Sequence, residues 1–539
     1  MSNDKNQKTT KNNDSSMIQT IENIDAYFET KNFLGPCVEA FQKNVLKSTN
    51  YHDIKDKVIE HCLQGSLQET LLRPTAWKIL LGIFPCDITT TLSDWVEITK
   101  KNRIEYMKKK QVPLAKKLKK GDPLNPDNNS STWNIYFKDQ SLKKIIDIDI
   151  QRTYQDKKLF CENIVKEIIC SVLFIWSREN SELSYKQGMN EIAALLLYAL
   201  FPFYFPFGNK EDSLKLITKE MLINPLPDSR IIYTFFHDEA YFEADLYYLF
   251  NAVMKGGLIS LYSTKKVNKP AKMMELFDDI YAPNDYDNEN ADWIYRRCGL
   301  IIKNKLFVYD EELYKFFEKS NIDCATFMQR WLKCLFCREF PLKDSTILWD
   351  AILAQERIAI TNKINKDYEF VDYISVAMLV HIRDQVIGLD PNDCLLKLFK
   401  YPKVDSPQIL VKLAMKIQNN LEMRKNALKI INENKKTIMS GRNSLKNEIN
   451  SKIIKKEEEN KTKFQKNYLP LPNSIHSYLN AKPSQDKQLI ETIKEKISNQ
   501  NKQIIDRLDE IKNKYRRSYS EEDRSDFEFL IEILKKKLE

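Results

Sequence analysis

Apolar residues recur at helical spacing through most of the chain, from Ile21 to about Leu421. The clearest example lies between Glu162 and Trp176, where six apolar side chains follow the period of about 3.6 residues that a helix requires. These six residues are Ile164, Val165, Ile168, Ile169, Val172 and Leu173. Because they cover a wide arc, we expect this helix to be buried on most of its sides. Strand-like alternation is rare, so the pattern predicts an all-α body.

The composition changes at both ends of this helical body, which is assigned to residues 21–421. Residues 1–20 are rich in Asn, Lys, Ser and Thr and predict a disordered leader. Residues 422–485 are dominated by Lys, Asn and Glu and predict a charged, low-complexity linker. Within the body, residues near 108–131 begin with lysines and continue with Asp, Asn, Pro and Ser, which predicts a basic surface loop.

The last segment, residues 486–539, carries isoleucines at intervals of seven. They are Ile490, Ile497, Ile504 and Ile511. Such a spacing is typical of a coiled coil, but Gln500 interrupts the second apolar position of the repeat. A short coiled coil and a single amphipathic helix lying on the body therefore both remain open for this tail, which we expect to be helical and partly disordered.

Composition excludes several functional classes. The 539 residues include only 11 Gly and 19 Pro, which disfavours a turn-rich β-sandwich. The 84 basic and 75 acidic residues give a mixed charged surface, so we expect no nucleic-acid partner. The 10 Cys are scattered and no signal segment begins the chain, so we expect reduced thiols in the cytoplasm. The most apolar run, 193–207, is too short to span a bilayer, so any membrane contact is expected to be indirect or peripheral.

Two short segments carry residues suited to phosphoryl-transfer chemistry. The first places Asp149 and Arg152 in an Ile-x-x-Asp-x-x-Arg pattern, and the second places Tyr185, Gln187 and Gly188 in a Tyr-x-Gln-Gly pattern. An arginine neutralises the charge that grows on a transferring phosphoryl group, and a glutamine orients the attacking water. A protein that activates a GTPase needs both groups, so this pair predicts that class of function.

Further segments occur in the same order as in a known family. An opening segment contains Arg73 and Trp77, and a later one contains Trp331 and the sequence Leu-Phe-x-Arg-Glu-Phe-Pro, followed by Trp349 and Asp350. Over about residues 65–390 the chain resembles the TBC domain of Rab GTPase-activating proteins. The resemblance implies an all-α, two-lobed fold. By themselves, the three tryptophans are expected to be core anchors.

The same resemblance assigns roles to individual residues. It implies that Arg152 is an arginine finger and Gln187 a glutamine finger, both entering a Rab GTPase in trans. Asp149, Thr153, Tyr185 and Gly188 are expected to support them: Asp149 one helical turn before Arg152, Tyr185 by fixing the glutamine loop, and Gly188 by permitting close backbone approach. GTP and Mg²⁺ are expected to arrive with the Rab, so we expect no cofactor and no independent hydrolase activity.

A closer similarity concerns Asn125-Pro126, Trp133-Asn134 and the run Ser177 to Asn180. These residues resemble a branch of the family that acts on late-endosomal Rabs and binds the retromer coat, which implies a peripheral location on endosomal membranes. The alternative is a non-catalytic scaffold that uses the TBC surface to bind a Rab or a retromer-type coat. The sequence names neither the Rab nor the oligomeric state.

Three other features of the sequence are interpreted as structural. Arg73 and Arg338 are either buried members of structural ion pairs or groups that face the GTPase, with the structural role favoured for both. Cys334 and Cys337 form a Cys-x-x-Cys without a second ligand pair at metal-binding spacing. We therefore expect two buried free thiols rather than a zinc or redox site.

Overall fold

The computed structural model describes residues 33–48, 50–111, 132–208, 212–218, 220–222, 228–262, 292–362 and 367–425, together with Lys502 and Asp506. These residues are mostly helical, and the β-structure among them is an isolated bridge between Phe205 and Asp238. The all-α prediction is therefore confirmed for this part of the chain. The chain divides into two compact units, 1–418 and 419–539, and the helices named below all belong to the first.

Helices in the first half of the described chain are α1 Leu34–Phe41, α2 Tyr51–Gln64, α3 Arg73–Leu80, α4 Leu92–Gln111, α5 Thr132–Gln151, α6 Lys158–Cys161, α7 Asn163–Glu179, α8 Met189–Leu200, α9 Ser213–Leu216, α10 Ser229–Phe236, α11 Phe242–Val253 and α12 Ile259–Tyr262. Those in the second half are α13 Trp293–Ile301, α14 Phe307–Tyr309, α15 Glu311–Lys319, α16 Ala325–Lys333, α17 Leu342–Thr361, α18 Glu369–His381, α19 Arg383–Val386 and α20 Pro391–Phe399. Short 3₁₀ and π-helical turns join several of them. The π-helical turns are Gln42–Leu46, Met254–Leu258 and Ile302–Leu306.

Local sequence signals explain where several helices begin and end. The side chain of Asn50 accepts a hydrogen bond from the backbone N–H of His52 at the start of α2, and Gly65 ends that helix at φ 76°. Asp390 caps α20 in the same way, and Pro391 takes the first helical position, where no backbone donor is needed. Capping of this kind satisfies backbone groups that a helix end would otherwise leave unpaired.

The helices pack in two groups, which is the arrangement that a two-lobed fold requires. In the first group α7 packs against α5, α8 and α11, and α11 also contacts α4 and α8. In the second group α13 contacts α16 and α18, and α16 contacts α18 and α20. The long helix α17 joins the groups because it packs against α2, α3 and α8 as well as α18.

Buried tryptophans fasten α17 to α3. Trp77 and Trp349 are fully buried, and their rings stack with centroids 5.8 Å apart. Asp350 accepts hydrogen bonds from Trp77 Nε1 at 2.7 Å and from Arg73 Nη2 at 2.9 Å. Trp331 is also fully buried. The predictions of three core tryptophans and of a structural ion pair at Arg73 are thus confirmed.

A second buried charge cluster joins α3, α4 and α11. Asp245 accepts from Lys78 Nζ at 2.9 Å, from Arg103 Nε and Nη2 at 3.0 and 2.9 Å, and from the Tyr204 hydroxyl at 2.8 Å. Burial alone would raise the pKa of Asp245, but the two cations outweigh burial and lower that pKa below its usual value. The cluster therefore connects α3 to two helices of the first group, α4 and α11.

Two sequence expectations are refined by these elements. The lysines at Lys108–Lys110 lie in the last turn of α4, which runs to Gln111, so the predicted basic loop does not begin at residue 108. Residues 112–131 of that loop, the leader 1–20 and nearly all of the linker and tail predicted after residue 421 lie outside the described residues. In α7, five of the six apolar residues are buried, but Ile164 is 42% exposed. No helix in the described ranges has both the length and the apolar character that crossing a membrane demands.

Candidate functional site

Arg152 directly follows the last residue of α5 and points into solvent. Its side chain is 54% exposed, and Nη2 lies 2.5 Å from Oδ1 of Asp149, whose side chain is only 7% exposed. The spacing of three residues brings the two groups together on one side of the helix, as the sequence predicted. A buried carboxylate therefore holds the base of an exposed guanidinium.

Tyr185 connects this ion pair to the second predicted segment. Its buried hydroxyl donates to Oδ2 of Asp149 at 2.6 Å, and Oδ1 of Asn190 lies 3.1 Å from the same hydroxyl oxygen. Burial, followed by the hydrogen bond to Asp149, raises the pKa of Tyr185, so the hydroxyl keeps its proton and acts as a donor. Tyr185 thus fixes the loop by a hydrogen bond as well as by packing.

Asn190, which sequence reasoning missed, closes the network. Its Oδ1 accepts from the backbone N–H of Gly188 at 3.1 Å, and its Nδ2 donates to Oγ1 of Thr153 at 2.8 Å. Thr153 in turn donates to the backbone carbonyl of Asp149 at 2.7 Å. The residue after Arg152 and the residue after Gln187 are therefore linked through one buried amide. The signal was available, because Asn190 lies in the same short segment as Gln187.

Gln187 is exposed, and its neighbour Gly188 is buried. Gly188 has φ 102°, a left-handed conformation that favours glycine, and it forms the N-terminal cap of α8. A Cβ atom at this position would lie 3.3 Å from Cys334 Sγ and 3.3 Å from the Tyr262 hydroxyl. The close approach expected at Gly188 is thus made to side chains of this same chain, and it brings the glutamine loop against the segment that follows α16.

The site therefore presents a guanidinium and a carboxamide on two loops that share one hydrogen-bond network. Five of the six residues predicted for the site (Arg152, Thr153, Tyr185, Gln187 and Gly188) lie in these two loops, and the sixth, Asp149, lies in the last turn of α5. Only Arg152 and Gln187 are exposed among them. Such an arrangement offers a permanent positive charge and an amide to a partner that approaches from solvent.

Residues 70–386 match the family model described as the Rab-GTPase-TBC domain. The chain belongs to this family. The matched range lies within residues 65–390, where the sequence resemblance was found, and it contains both loops of the site.

Known relatives share the TBC domain at modest identity. The chain is 28% identical over 363 residues to TBC1 domain family member 5 of Mus musculus, a match that covers 66% of this chain and 41% of the relative. The corresponding human protein is also 28% identical, with 66% and 42% covered. The chain thus spans about two fifths of the length of these relatives.

A solved structure of the Ypt/Rab-GAP domain of Gyp1p is similar at 17% identity and a TM-score of 0.47, covering 73% of this chain and all of that one. The family assignment rests on the sequence match rather than on this likeness.

The loop after α16 contacts both the loop of Arg152 and the loop of Gln187. Leu335 and Phe336 both have positive φ, 44° and 63°, which is unusual for residues other than glycine. Trp349 Nε1 donates to the Leu335 carbonyl at 2.9 Å, and the Tyr154 hydroxyl donates to the Cys337 carbonyl at 2.9 Å. The strained turn is thus held by α17 on one side and by the arginine loop on the other.

Arg338, at the end of this turn, differs from its prediction. Its side chain is 49% exposed, and its Nε lies 3.8 Å from Oε1 of Glu191. Burial raises the pKa of Glu191, and the nearby Arg338 partly offsets that effect. The favoured interpretation of Arg338 as a buried member of a structural ion pair is therefore wrong about burial, because the segment ends at the surface beside α8, although the ion pair itself is present.

Cys334 and Cys337 are buried free thiols, as expected. Burial raises the pKa of Cys334 to about 12, so the thiol stays protonated at neutral pH. Across the described ranges, no group of three or more His, Cys, Asp and Glu side chains is placed to hold a metal ion.

Proposed function

We propose that this protein accelerates GTP hydrolysis by a Rab GTPase, supplying Arg152 and Gln187 in trans. The observation that carries the proposal is the shared network: Asp149 binds the guanidinium of Arg152, and Tyr185 and Asn190 connect that carboxylate to the loop of Gln187. The loops that carry the two exposed groups are thereby linked before any partner arrives. Preorganisation of this kind lowers the cost of ordering catalytic groups in the transition state.

The chemistry follows from the two side chains. The planar guanidinium of Arg152 donates to phosphate oxygens on which negative charge grows during transfer. An arginine finger of this type contributes about 10³ to 10⁵ in rate. The carboxamide of Gln187 accepts from the attacking water and donates to a phosphate oxygen. GTP and Mg²⁺ belong to the Rab in this mechanism, so the protein needs no cofactor of its own.

A finer assignment rests on similarity to TBC1 domain family member 5 and on the branch-like segments of the sequence. We propose that the substrate is a late-endosomal Rab and that a retromer-type coat is a partner. The protein then acts in endosomal traffic from the cytoplasm and contacts endosomal membranes peripherally through these partners.

The test is stimulated single-turnover hydrolysis across a panel of GTP-loaded Rabs. We expect Arg152→Lys to abolish most of the stimulation, since lysine keeps the charge but lacks the planar fork, and Gln187→Ala to lower it separately. Matched controls are Arg230→Lys in α10 and Gln64→Ala in α2, because both residues are exposed and neither belongs to the two loops of the site. We expect the controls to behave as the wild type.

Three outcomes decide the mechanism. Near-normal stimulation by Arg152→Lys on every responsive Rab contradicts the arginine finger. Full stimulation by Gln187→Ala assigns the water-orienting role to the glutamine of the Rab itself. Co-precipitation with a Rab without acceleration by the wild type identifies the protein as the non-catalytic scaffold instead.

A further inference from the structure

The helix that leads into Arg152 carries two exposed isoleucines on the side of the arginine. Ile145 and Ile148 in α5 are 54% and 55% exposed, whereas Ile146 and Asp149 are buried. Successive helical residues are rotated by about 100°, so Ile145, Ile148 and Arg152 fall within an arc of about 60°. One side of α5 is thus packed into the body, and the other presents an apolar row that ends in the guanidinium.

Single exposed isoleucines are ordinary on protein surfaces, and position is what distinguishes this pair. At a rise of about 1.5 Å per residue, Ile148 and Ile145 lie only about 6 and 10 Å from Arg152 along the helix axis. A GTPase that admits the guanidinium to its nucleotide pocket must lie over these two turns. The row is therefore continuous with the surface that the proposed function requires.

Exposed lysines lie beside the row and at its start. Lys144 is exposed and lies about 40° around the helix from Ile148, whereas Lys138 is exposed seven residues before Ile145, on nearly the same line and about 10 Å toward the start of α5. An apolar strip beside two ammonium groups fits a partner surface with an apolar centre and acidic residues at its rim. The lysines beside the apolar row therefore favour a protein partner whose facing residues are acidic.

We propose that Ile145 and Ile148 form a docking row for the apolar surface of the Rab beside its nucleotide pocket, with acidic Rab residues facing Lys138 and Lys144. This inference rests on the proposed function. Both isoleucines are remote from the reacting atoms, so their contacts are the same in the ground state and the transition state. Such contacts affect KM and leave kcat unchanged.

The experiment measures KM and kcat of stimulated hydrolysis for the double variant Ile145→Ser/Ile148→Ser on each GTP-loaded Rab that the wild type stimulates. We expect KM to rise by about tenfold or more, given the apolar area that two half-exposed isoleucines offer to a partner. Ile145→Leu/Ile148→Leu preserves the apolar area and is expected to keep KM near the wild-type value. A melting curve verifies that each variant is folded.

The matched control is Ile104→Ser/Met107→Ser in α4. These residues have the same spacing of three and are 45% and 42% exposed, but their helix does not lead into the site. We expect this control to leave both KM and kcat unchanged. An equal rise in KM for the control would show that loss of any apolar surface suffices, and would overturn the docking row.

The remaining outcomes separate this inference from the proposed function. An unchanged KM in the serine variant, with Arg152→Lys still inactive, overturns the docking row and leaves the proposed function standing. A fall in kcat at constant KM also overturns it, because the row would then position Arg152. Loss of self-association, or of binding to phosphatidylserine vesicles, at constant KM assigns the row to those contacts instead. Absence of stimulation of any Rab by the wild type overturns both proposals.

Discussion

Replacing Tyr185 with phenylalanine keeps the ring and removes the hydroxyl that connects the loop of Gln187 to Asp149. That hydroxyl donates to Asp149 at 2.6 Å and lies 3.1 Å from the amide oxygen of Asn190. Without it, Asp149 retains Arg152 as a partner, but the loop of Gln187 loses its direct connection to the carboxylate. We expect both stability and stimulated turnover to fall.

The structure sets the size of these losses. A hydrogen bond to a charged group contributes about 1.5 to 3 kcal/mol. Tyr185 is 8% exposed and Asp149 is 5% exposed, so water replaces the lost bond poorly. We expect the free energy of unfolding to fall by about 1.5 to 3 kcal/mol. The fall in kcat reaches at most about 100-fold, the limit at which all of this energy positions Arg152 and Gln187 in the transition state, since each 1.4 kcal/mol is a factor of ten.

Urea denaturation and single-turnover hydrolysis measure the two effects separately. Tyr401→Phe is the matched control, because Tyr401 is also 8% exposed and its hydroxyl donates to the Met378 carbonyl at 2.9 Å, outside the site. We expect this control to lose stability and keep its kcat. A wild-type kcat in Tyr185→Phe, or an equal fall in the control, would refute the argument that one network positions both Arg152 and Gln187.

Three further predictions concern the site and the core. Gly188→Ala places a side chain at φ 102°, so we expect a loss of about 1 to 3 kcal/mol by thermal melting and weaker stimulation of hydrolysis; wild-type values for both would contradict this. Asp245→Asn leaves two buried cations without their anion, and urea denaturation should show a loss of about 3 to 5 kcal/mol; an unchanged midpoint would show that the cluster is not structural. Burial, followed by the charge of Lys78, lowers the pKa of His237 to about 3. The unfolded chain, with a histidine pKa near 6.5, binds this proton more readily, so stability should fall by up to about 1.4 kcal/mol per pH unit below pH 6.5. His237→Gln should flatten that slope in urea denaturation between pH 7.5 and 5, and an unchanged slope would assign the pH dependence to other groups.

Much of the fold was predictable because helix formation depends on short-range patterns in the sequence. Apolar periodicity identified α7. In α2 and α20 the helix starts are capped by Asn50 and Asp390, which are residue types that commonly cap helices. The pairing of Asp149 with Arg152 was equally local, since a spacing of three within one helix fixes which side chains meet. The error at Lys108 has the opposite cause: a basic composition is compatible with an exposed helical turn as well as with a loop.

Other features of the site depend on contacts between distant segments. Nothing in the spacing of Tyr185 and Asp149 shows that a hydroxyl bonds a carboxylate 36 residues away. The position of Gly188 against Cys334 and the surface exposure of Arg338 likewise depend on how α8, α12 and α16 pack.

The sequence by itself determined the helical class, the family and the identity of the two exposed groups, because residue type and short-range spacing encode these properties. Only the tertiary structure decided that the loops of Arg152 and Gln187 share one hydrogen-bond network and that the side of α5 with Ile145 and Ile148 faces solvent. The physical reason is that burial and hydrogen bonding between segments are properties of packing. A helical period shows which residues share a side, and only the neighbouring helices decide which side is covered.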